Sequence, residues 1–219
     1  MNCRWILVPL VGISITCFAA TAFAQSEQTW NVDVASGVTA TAGDISNRLT
    51  KGWNLDLGAG YEFNRILELE GHFAINGLGV SNQVLQTLQV PDGNASLMSL
   101  TAGPKVHFPI ASSVRGYVVG GVGWYHRNVE FTQPTVGLVD IIDPWWGYLG
   151  SAIVPTNQVI GSVSRNAWGV NGGGGVSVDL GQSGAEVFAE VRYHYARFNP
   201  TTTAIVPVTF GVKFAGRQR

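Results

Sequence analysis

From Trp53 onward, segment after segment of this chain alternates one apolar residue with one polar or small residue. Trp53, Leu55, Leu57, Ala59, Tyr61 and Phe63 stand in one phase, and Asn54, Asp56, Gly58, Gly60 and Glu62 in the other. Residues 66–75 repeat the pattern, with Leu67, Leu69, Phe73 and Ile75 against Glu68, Glu70 and His72. Met98, Leu100, Ala102, Val106 and Phe108 oppose Ser99, Thr101, Lys105 and His107. Val187, Ala189, Val191, Tyr193 and Tyr195 oppose Glu186, Glu190, Arg192 and His194, and Val206 to Phe214 closes the series against Thr209 and Lys213. Successive side chains on a strand point to opposite faces, so each segment predicts a strand with one apolar and one polar face. Strands are expected near 30–40, 52–63, 66–76, 96–108, 114–131, 165–180, 185–198 and 205–214. Short turns at Asn64-Arg65, Pro109 to Ser113 and Gly181 to Gly184 alternate with long connections at 41–51, 77–95 and 132–164 and a moderate one at 199–204. Short turns on one side and longer loops on the other predict an all-β fold, an eight-stranded antiparallel up-and-down transmembrane β-barrel with its loops outside the cell.

A soluble barrel would show the same period with its apolar face inward. Composition and aromatic placement argue for lipid instead. Only 12% of residues are charged while 46% are hydrophobic, against roughly 25% charged in soluble domains. Trp53, Tyr125, Trp168 and Tyr195 fall at the predicted outer strand ends, and Trp30, Tyr61, Phe63, Phe108, Tyr117 and Phe214 at the inner ends. The eight-residue separations Trp53 to Tyr61 and Tyr117 to Tyr125 correspond to roughly 20 Å of bilayer at about 3.3 Å per residue and about 40° tilt. The net charge of −1 offers no electrostatic basis for nucleic-acid binding.

The N-terminus reads as an export signal. Arg4 provides the positive end, Ile6 to Ala19 an apolar stretch, and Ala22-Phe23-Ala24 a small-x-small cleavage site. Residues 1–24 are expected to be removed, leaving 25–219 as the barrel. Both cysteines, Cys3 and Cys17, lie inside the signal, so the exported protein is expected to carry no disulfide and no thiolate metal site.

The segments Gly52-Trp-Asn-Leu-Asp-Leu-Gly-Ala-Gly-Tyr61, Arg115-Gly-Tyr-Val-Val-Gly-Gly-Val-Gly-Trp124, Glu186-Val-Phe-Ala-Glu-Val-Arg-Tyr193 and Ile205-Val-Pro-Val-Thr-Phe-Gly-Val-Lys-Phe214 resemble the outer-membrane β-barrel domain family. That family includes the OmpA transmembrane domain and the opacity-type surface porins. The resemblance covers essentially the whole exported chain. It implies the fold, the cell outer membrane as location, and outer-membrane lipid and the barrel assembly machinery as partners. Such barrels usually stop at a terminal aromatic that the machinery reads, whereas Phe214 is followed here by Ala-Gly-Arg-Gln-Arg. No peptidoglycan-binding domain follows, so a wall tether is not expected.

The polar face must then line the lumen. Asp33, Asp56, Glu68, Glu70 and Glu190 are predicted to meet Lys105, Arg192 and Lys213 there, because an unpaired buried charge costs several kcal/mol. An eight-stranded barrel is just wide enough for side chains to fill it, so a structural polar core is expected ahead of a conducting pore. Gly172 to Gly175 sit within a strand with no following helix to complete a phosphate site. His72, His107, His126 and His194 lie on different strands without metal-ligand spacing, and a hydrogen-bonding role is expected for them. No His has a Ser two residues later, so a lipid-hydrolase arrangement is not matched. No catalytic residue, cofactor or metal is therefore assigned.

Residues 132–164 are the one region with functional character. Pro134, Pro144 and Pro155 punctuate a stretch containing Ile141, Ile142, Trp145, Trp146, Tyr148 and Leu149. Trp and Tyr are favoured in binding hot spots and at membrane interfaces, which makes Trp145, Trp146 and Tyr148 candidate contacts for an extracellular ligand. The alternative is a loop folded over the barrel mouth or resting on lipid headgroups. The expectation is a structural or surface-interaction barrel, with a narrow porin as the alternative.

Overall fold

The computed structural model of the protein describes residues 29–181, 184–199 and 201–216. The expected export signal, both cysteines and the last three residues lie outside them. Eight strands follow in chain order: β1 Thr29–Ala42, β2 Leu49–Glu62, β3 Leu67–Val80, β4 Asp92–Ala111, β5 Val114–Asp143, β6 Gly147–Asp179, β7 Ala185–Phe198 and β8 Thr201–Ala215. Each pairs antiparallel with its sequence neighbours, and β1 closes the ring on β8, with Val32 opposite Phe214 and Val38 opposite Val208. Closure matters because every backbone N–H and C=O crossing the hydrocarbon layer must be bonded within the protein.

The alternating faces fall as the sequence predicts. Leu55, Leu57, Leu69, Phe73, Leu100, Val187 and Val191 are exposed on the outside, while Asn54, Glu68, Glu70, His72, Lys105, Glu190 and Arg192 are buried within. At one end the turns are tight. Asn64 shapes the β2–β3 turn by accepting hydrogen bonds from Ile66 N (2.9 Å) and Leu67 N (2.8 Å).

Two aromatic assignments are corrected. Tyr117 and Tyr125 do not belong to the girdles. They point into the barrel and are 3% and 0% exposed. The lipid-facing phase of β5 is carried instead by Val118, Val122 and Trp124. Trp53, Trp124, Trp168 and Tyr195 stand on the outer surface at the upper end, and Trp30, Phe108 and Phe214 at the lower. Trp30 packs on Tyr61, with ring centroids 4.8 Å apart.

The long connections also differ from the expectation. The 41–51 connection is a 3-10 turn, Gly43–Asn47, between longer strands, and 77–95 carries a short helix, α1, Asn82–Leu88. These two pieces fold inward, burying Ile45 and Leu85 against Leu78, Val80, Leu97, Phe198 and Ile205 as an apolar lid inside the upper barrel. The 199–204 connection shrinks to residues 199–200. Residues 132–164 are not a loop. They are the continuation of β5 and β6, which run 30 and 33 residues. Beyond Thr132, where β4 pairing ends, β5 pairs only with β6. The result is a two-stranded ribbon reaching roughly 35 Å past the rim at about 3.3 Å per residue. A register shift between Phe131 and Thr132 marks its exit, as bulges commonly do at barrel rims.

Leu57 lies mid-strand on the outer face, opposite Val34 on one side and Phe73 on the other. Leu57→Arg or Val191→Arg should therefore lower barrel stability by about 2–4 kcal/mol in denaturant unfolding from lipid vesicles. Val136→Arg, on the ribbon, should leave it unchanged. Equal stability of Leu57→Arg and the parent would overturn the assignment of the faces.

Candidate functional site

The lumen is layered. Its lower half holds the ionic side chains, because β2, β3, β4, β7 and β8 all bring their polar phase inward at that level. Glu70 is the hub. Its Oε2 pairs with Lys105 Nζ, and its Oε1 accepts from Arg192 Nη2 (2.6 Å) and lies 3.2 Å from His72 Nε2. Arg192 Nε donates to Glu190 Oε1 (2.6 Å). Lys105 Nζ also sits 4.5 Å from the centre of the Tyr117 ring. A second centre forms on Glu68, whose carboxylate accepts from Lys213 Nζ at 2.8 and 2.9 Å and from Asn31 Nδ2 at 2.9 Å, with His107 Nε2 at 2.8 Å. Lys213 reaches Glu62 as well, at 3.2 Å.

The eight charged residues predicted for the lumen thus divide, with Asp33 at the edge, its Oδ1 3.9 Å from His72 Nδ1. Glu70, Lys105, Arg192 and Glu190 form one chain, and Glu68 and Lys213 another. Asp56 joins through His72 Nδ1, 2.6 Å from its Oδ1. Glycine makes room for these acids. A Cβ on Gly58 would stand 2.2 Å from Asp33 Oδ2, and one on Gly60 2.2 Å from Glu68 Oε1. His72 and His107 are integral to both centres, and their shared phase with Glu70 and Lys105 was the available signal. Two acid and histidine groups, Asp33, Asp56 and His72, and Glu62, Glu68 and His107, are compact enough to contact one cation. Lysine, arginine or amide donors already engage Glu68 and Glu70 beside them, so each group reads as part of the ion-pair lattice.

Above this lies a neutral layer. Thr39 Oγ1 donates to Asn76 Oδ1 (2.7 Å), Asn54 Nδ2 donates to Thr39 (3.2 Å), and the Tyr125 hydroxyl meets His194 Nδ1 (2.9 Å). The apolar lid closes over it. Charge, then amide and hydroxyl, then hydrocarbon fill the interior from bottom to top.

The candidate contact residues lie elsewhere, at the ribbon tip. Asp143 Oδ1 accepts from the backbone N–H groups of Trp145 (2.8 Å) and Trp146 (2.9 Å), and Gly147 takes φ 77° to complete the turn. The Asp143 carboxylate thereby presents the tryptophans, which are 88% and 82% exposed, so they do not cover the barrel mouth. Register places Val136 opposite Pro155 and Leu138 opposite Ile153 as exposed apolar pairs, followed in the same phase by Asp140 opposite Ser151 and, past a register shift, by Ile142 opposite Tyr148. The Tyr148 hydroxyl lies 2.6 Å from Ser151 Oγ, which donates to Asp140 Oδ1 at 2.5 Å.

Arg192→Met should strand Glu190 and remove one of the partners of Glu70, and destabilise the barrel by roughly 3–5 kcal/mol. Adding Glu190→Gln should cost less than the sum of the two single changes in a double-mutant cycle. Strict additivity would show that the pair is not coupled.

No curated protein matches the chain. The family model described as "outer membrane protein beta-barrel domain" matches residues 11–214. Among solved structures, Neisserial surface protein A superposes with TM-score 0.53 at 16% identity, over 86% of this chain and 99% of that one. OprG from Pseudomonas aeruginosa gives 0.47 at 12% identity, over 85% and 97%. Ail, the attachment invasion locus protein of Yersinia pestis, gives 0.43 at 17%, again over 85% and 97%. At these identities the likeness concerns the fold alone. With a match running from the N-terminal region to the last strand, this chain belongs to the outer membrane protein β-barrel domain family and is a protein of the outer membrane.

Proposed function

We propose that this protein is a non-enzymatic surface barrel that does not conduct, anchored in outer-membrane lipid, whose β5–β6 ribbon meets extracellular partners. The ribbon carries the reading. It extends well past the rim, exposes Val136, Leu138, Ile142 and Ile153, and fixes two adjacent tryptophans at its tip through Asp143. A strand pair that served only the barrel would turn at the rim, as β7–β8 does. Large exposed apolar surface on a stable element commonly marks an interaction site.

The filled interior supports the non-conducting half of the reading. Glu70, Lys105, Arg192 and Glu190 span the lumen with side chains 3–7% exposed, and the apolar lid closes the mouth above them. The buried acids pair with bases rather than activating a nucleophile, which supports a non-enzymatic role. In the same reading residues 1–24 direct export and are removed, and the barrel assembly machinery inserts the remainder.

Replacing residues 136–155 by Asn-Gly would join Thr135 to Thr156, which already face one another, through a favoured two-residue hairpin turn. This variant should keep the heat-modifiable folding of the parent, and both proteins should be silent in planar bilayers. Cells displaying it should lose any surface attachment that the parent confers. Sustained single-channel steps from the parent would replace this reading with a narrow porin. Failure of the shortened protein to fold would make the ribbon part of the barrel's stability.

A further inference from the structure

At the extracellular mouth, beside the lid, a cavity of about 380 Å³ opens between the 3-10 turn, α1 and the upper staves. One wall is hydrocarbon: Ile45, Leu49, Val80, Val84, Val129 and Phe131. The other carries Arg48 and Arg127. Arg127 is held in place. It donates to Thr203 Oγ1 (2.9 Å) and Thr201 Oγ1 (3.4 Å), and its guanidinium lies 4.7 Å from the centre of the Phe198 ring. Directly opposite it across the β5–β6 ladder stands a second cation, Arg165, whose Nη1 donates to the Asn199 carbonyl (2.9 Å). Among the described side chains no carboxylate pairs with Arg127 or Arg165.

Like charges facing each other across a ladder are unfavourable. Arg127 is half-buried while Arg48 and Arg165 are exposed, so the charge gathered here is open to a ligand entering from the mouth. A bound anion would remove the repulsion, and a planar guanidinium fork suits a carboxylate. A bare anion would leave the hydrocarbon wall in water. Val80, Val129 and Phe131 belong to the inward-facing series of β3 and β5, so the cavity opens from the barrel mouth rather than from the bilayer. We propose that this cavity is a binding site for a single-chain amphiphilic carboxylate taken up from the external medium, its headgroup on Arg127 and Arg48 and its alkyl chain along Val80, Val84 and Phe131. The volume lies within the range of small-molecule sites, which combine apolar walls with a few placed polar groups. This site is independent of the ribbon, whose loss would leave it intact.

The test uses the full chain refolded into zwitterionic-lipid nanodiscs and titrated calorimetrically with sodium octanoate, against empty nanodiscs as the blank. One saturable site is expected for octanoate, with acetate and octanol each binding at least tenfold more weakly. Arg127→Gln should weaken octanoate at least tenfold. Because Arg127 also braces Thr203, two substitutions outside the barrel wall provide the control. Arg48→Gln should weaken binding several-fold, and Val84→Asp, which sets a carboxylate on the hydrocarbon wall, should abolish it. No saturable heat above the blank would overturn the proposal. So would acetate binding as tightly as octanoate, or octanoate affinity unchanged in both Arg48→Gln and Val84→Asp.

Discussion

The hydrocarbon layer gives a backbone amide no water to bond, and the rest of this structure follows from that constraint. Eight strands satisfy it only when the last pairs with the first, and the β1–β8 ladder runs from Asn31 opposite Ala215 to Ala42 opposite Ala204. Once the ring is closed, side chains must divide between lipid and lumen with period two. An outward Leu57 and an inward Asp56 are consequences of the same hydrogen-bond pattern. The low charge content follows as well, since half of every membrane-crossing stave can carry no charge.

Closure creates a second problem, an interior too narrow for bulk water and lined by polar side chains. An isolated ion there would lose its hydration without return. The chain answers with shared partners. Glu70 serves Lys105, Arg192 and His72 at once, and Lys213 bridges Glu62 and Glu68. Glycine at positions 58 and 60 leaves the volume that these long acids occupy. Higher up, above the ion pairs, neutral amides and then hydrocarbon take over. The change from ionic to apolar filling lets the 3-10 turn and α1 seat Ile45 and Leu85 inside the barrel instead of floating above it.

This history explains which parts were legible in the sequence. Strand number, order and facing were readable because lipid and lumen impose opposite chemistry on alternate residues. Membership of the polar core was readable for the same reason, yet Glu70 and Arg192 lie 122 residues apart, and alternation carries no information about which acid crosses to which base. The phase of β5 was lost. Gly116, Gly120, Gly121 and Gly123 mark neither face, Trp124 stands in the opposite phase to Tyr117 and Tyr125, and tyrosine suits a girdle or a core whose hydroxyl finds a partner such as His194. The ribbon was hidden for a related reason. Past the rim neither lipid nor lumen demands one polar face, so apolar residues fall in both phases from Val136 to Ile142, interrupted by Asp140. Pro134 and Pro155 then argued against strand, although a ladder with free edges tolerates proline at positions that donate no bond.

That freedom bears on why the ribbon exists at all. A two-stranded ribbon standing in water is marginal by itself. Here its base is welded into the barrel wall at Arg127 opposite Arg165 and Phe131 opposite Gly161, its tip is pinned by Asp143, and the Asp140, Ser151 and Tyr148 contacts tie its middle. Such bracing stabilises an exposed apolar surface that barrel stability does not require. With ion pairs filling the interior below and a lid above, the proposed recognition falls to the barrel mouth and the external surface, and the ribbon is the part of that surface held furthest from the membrane.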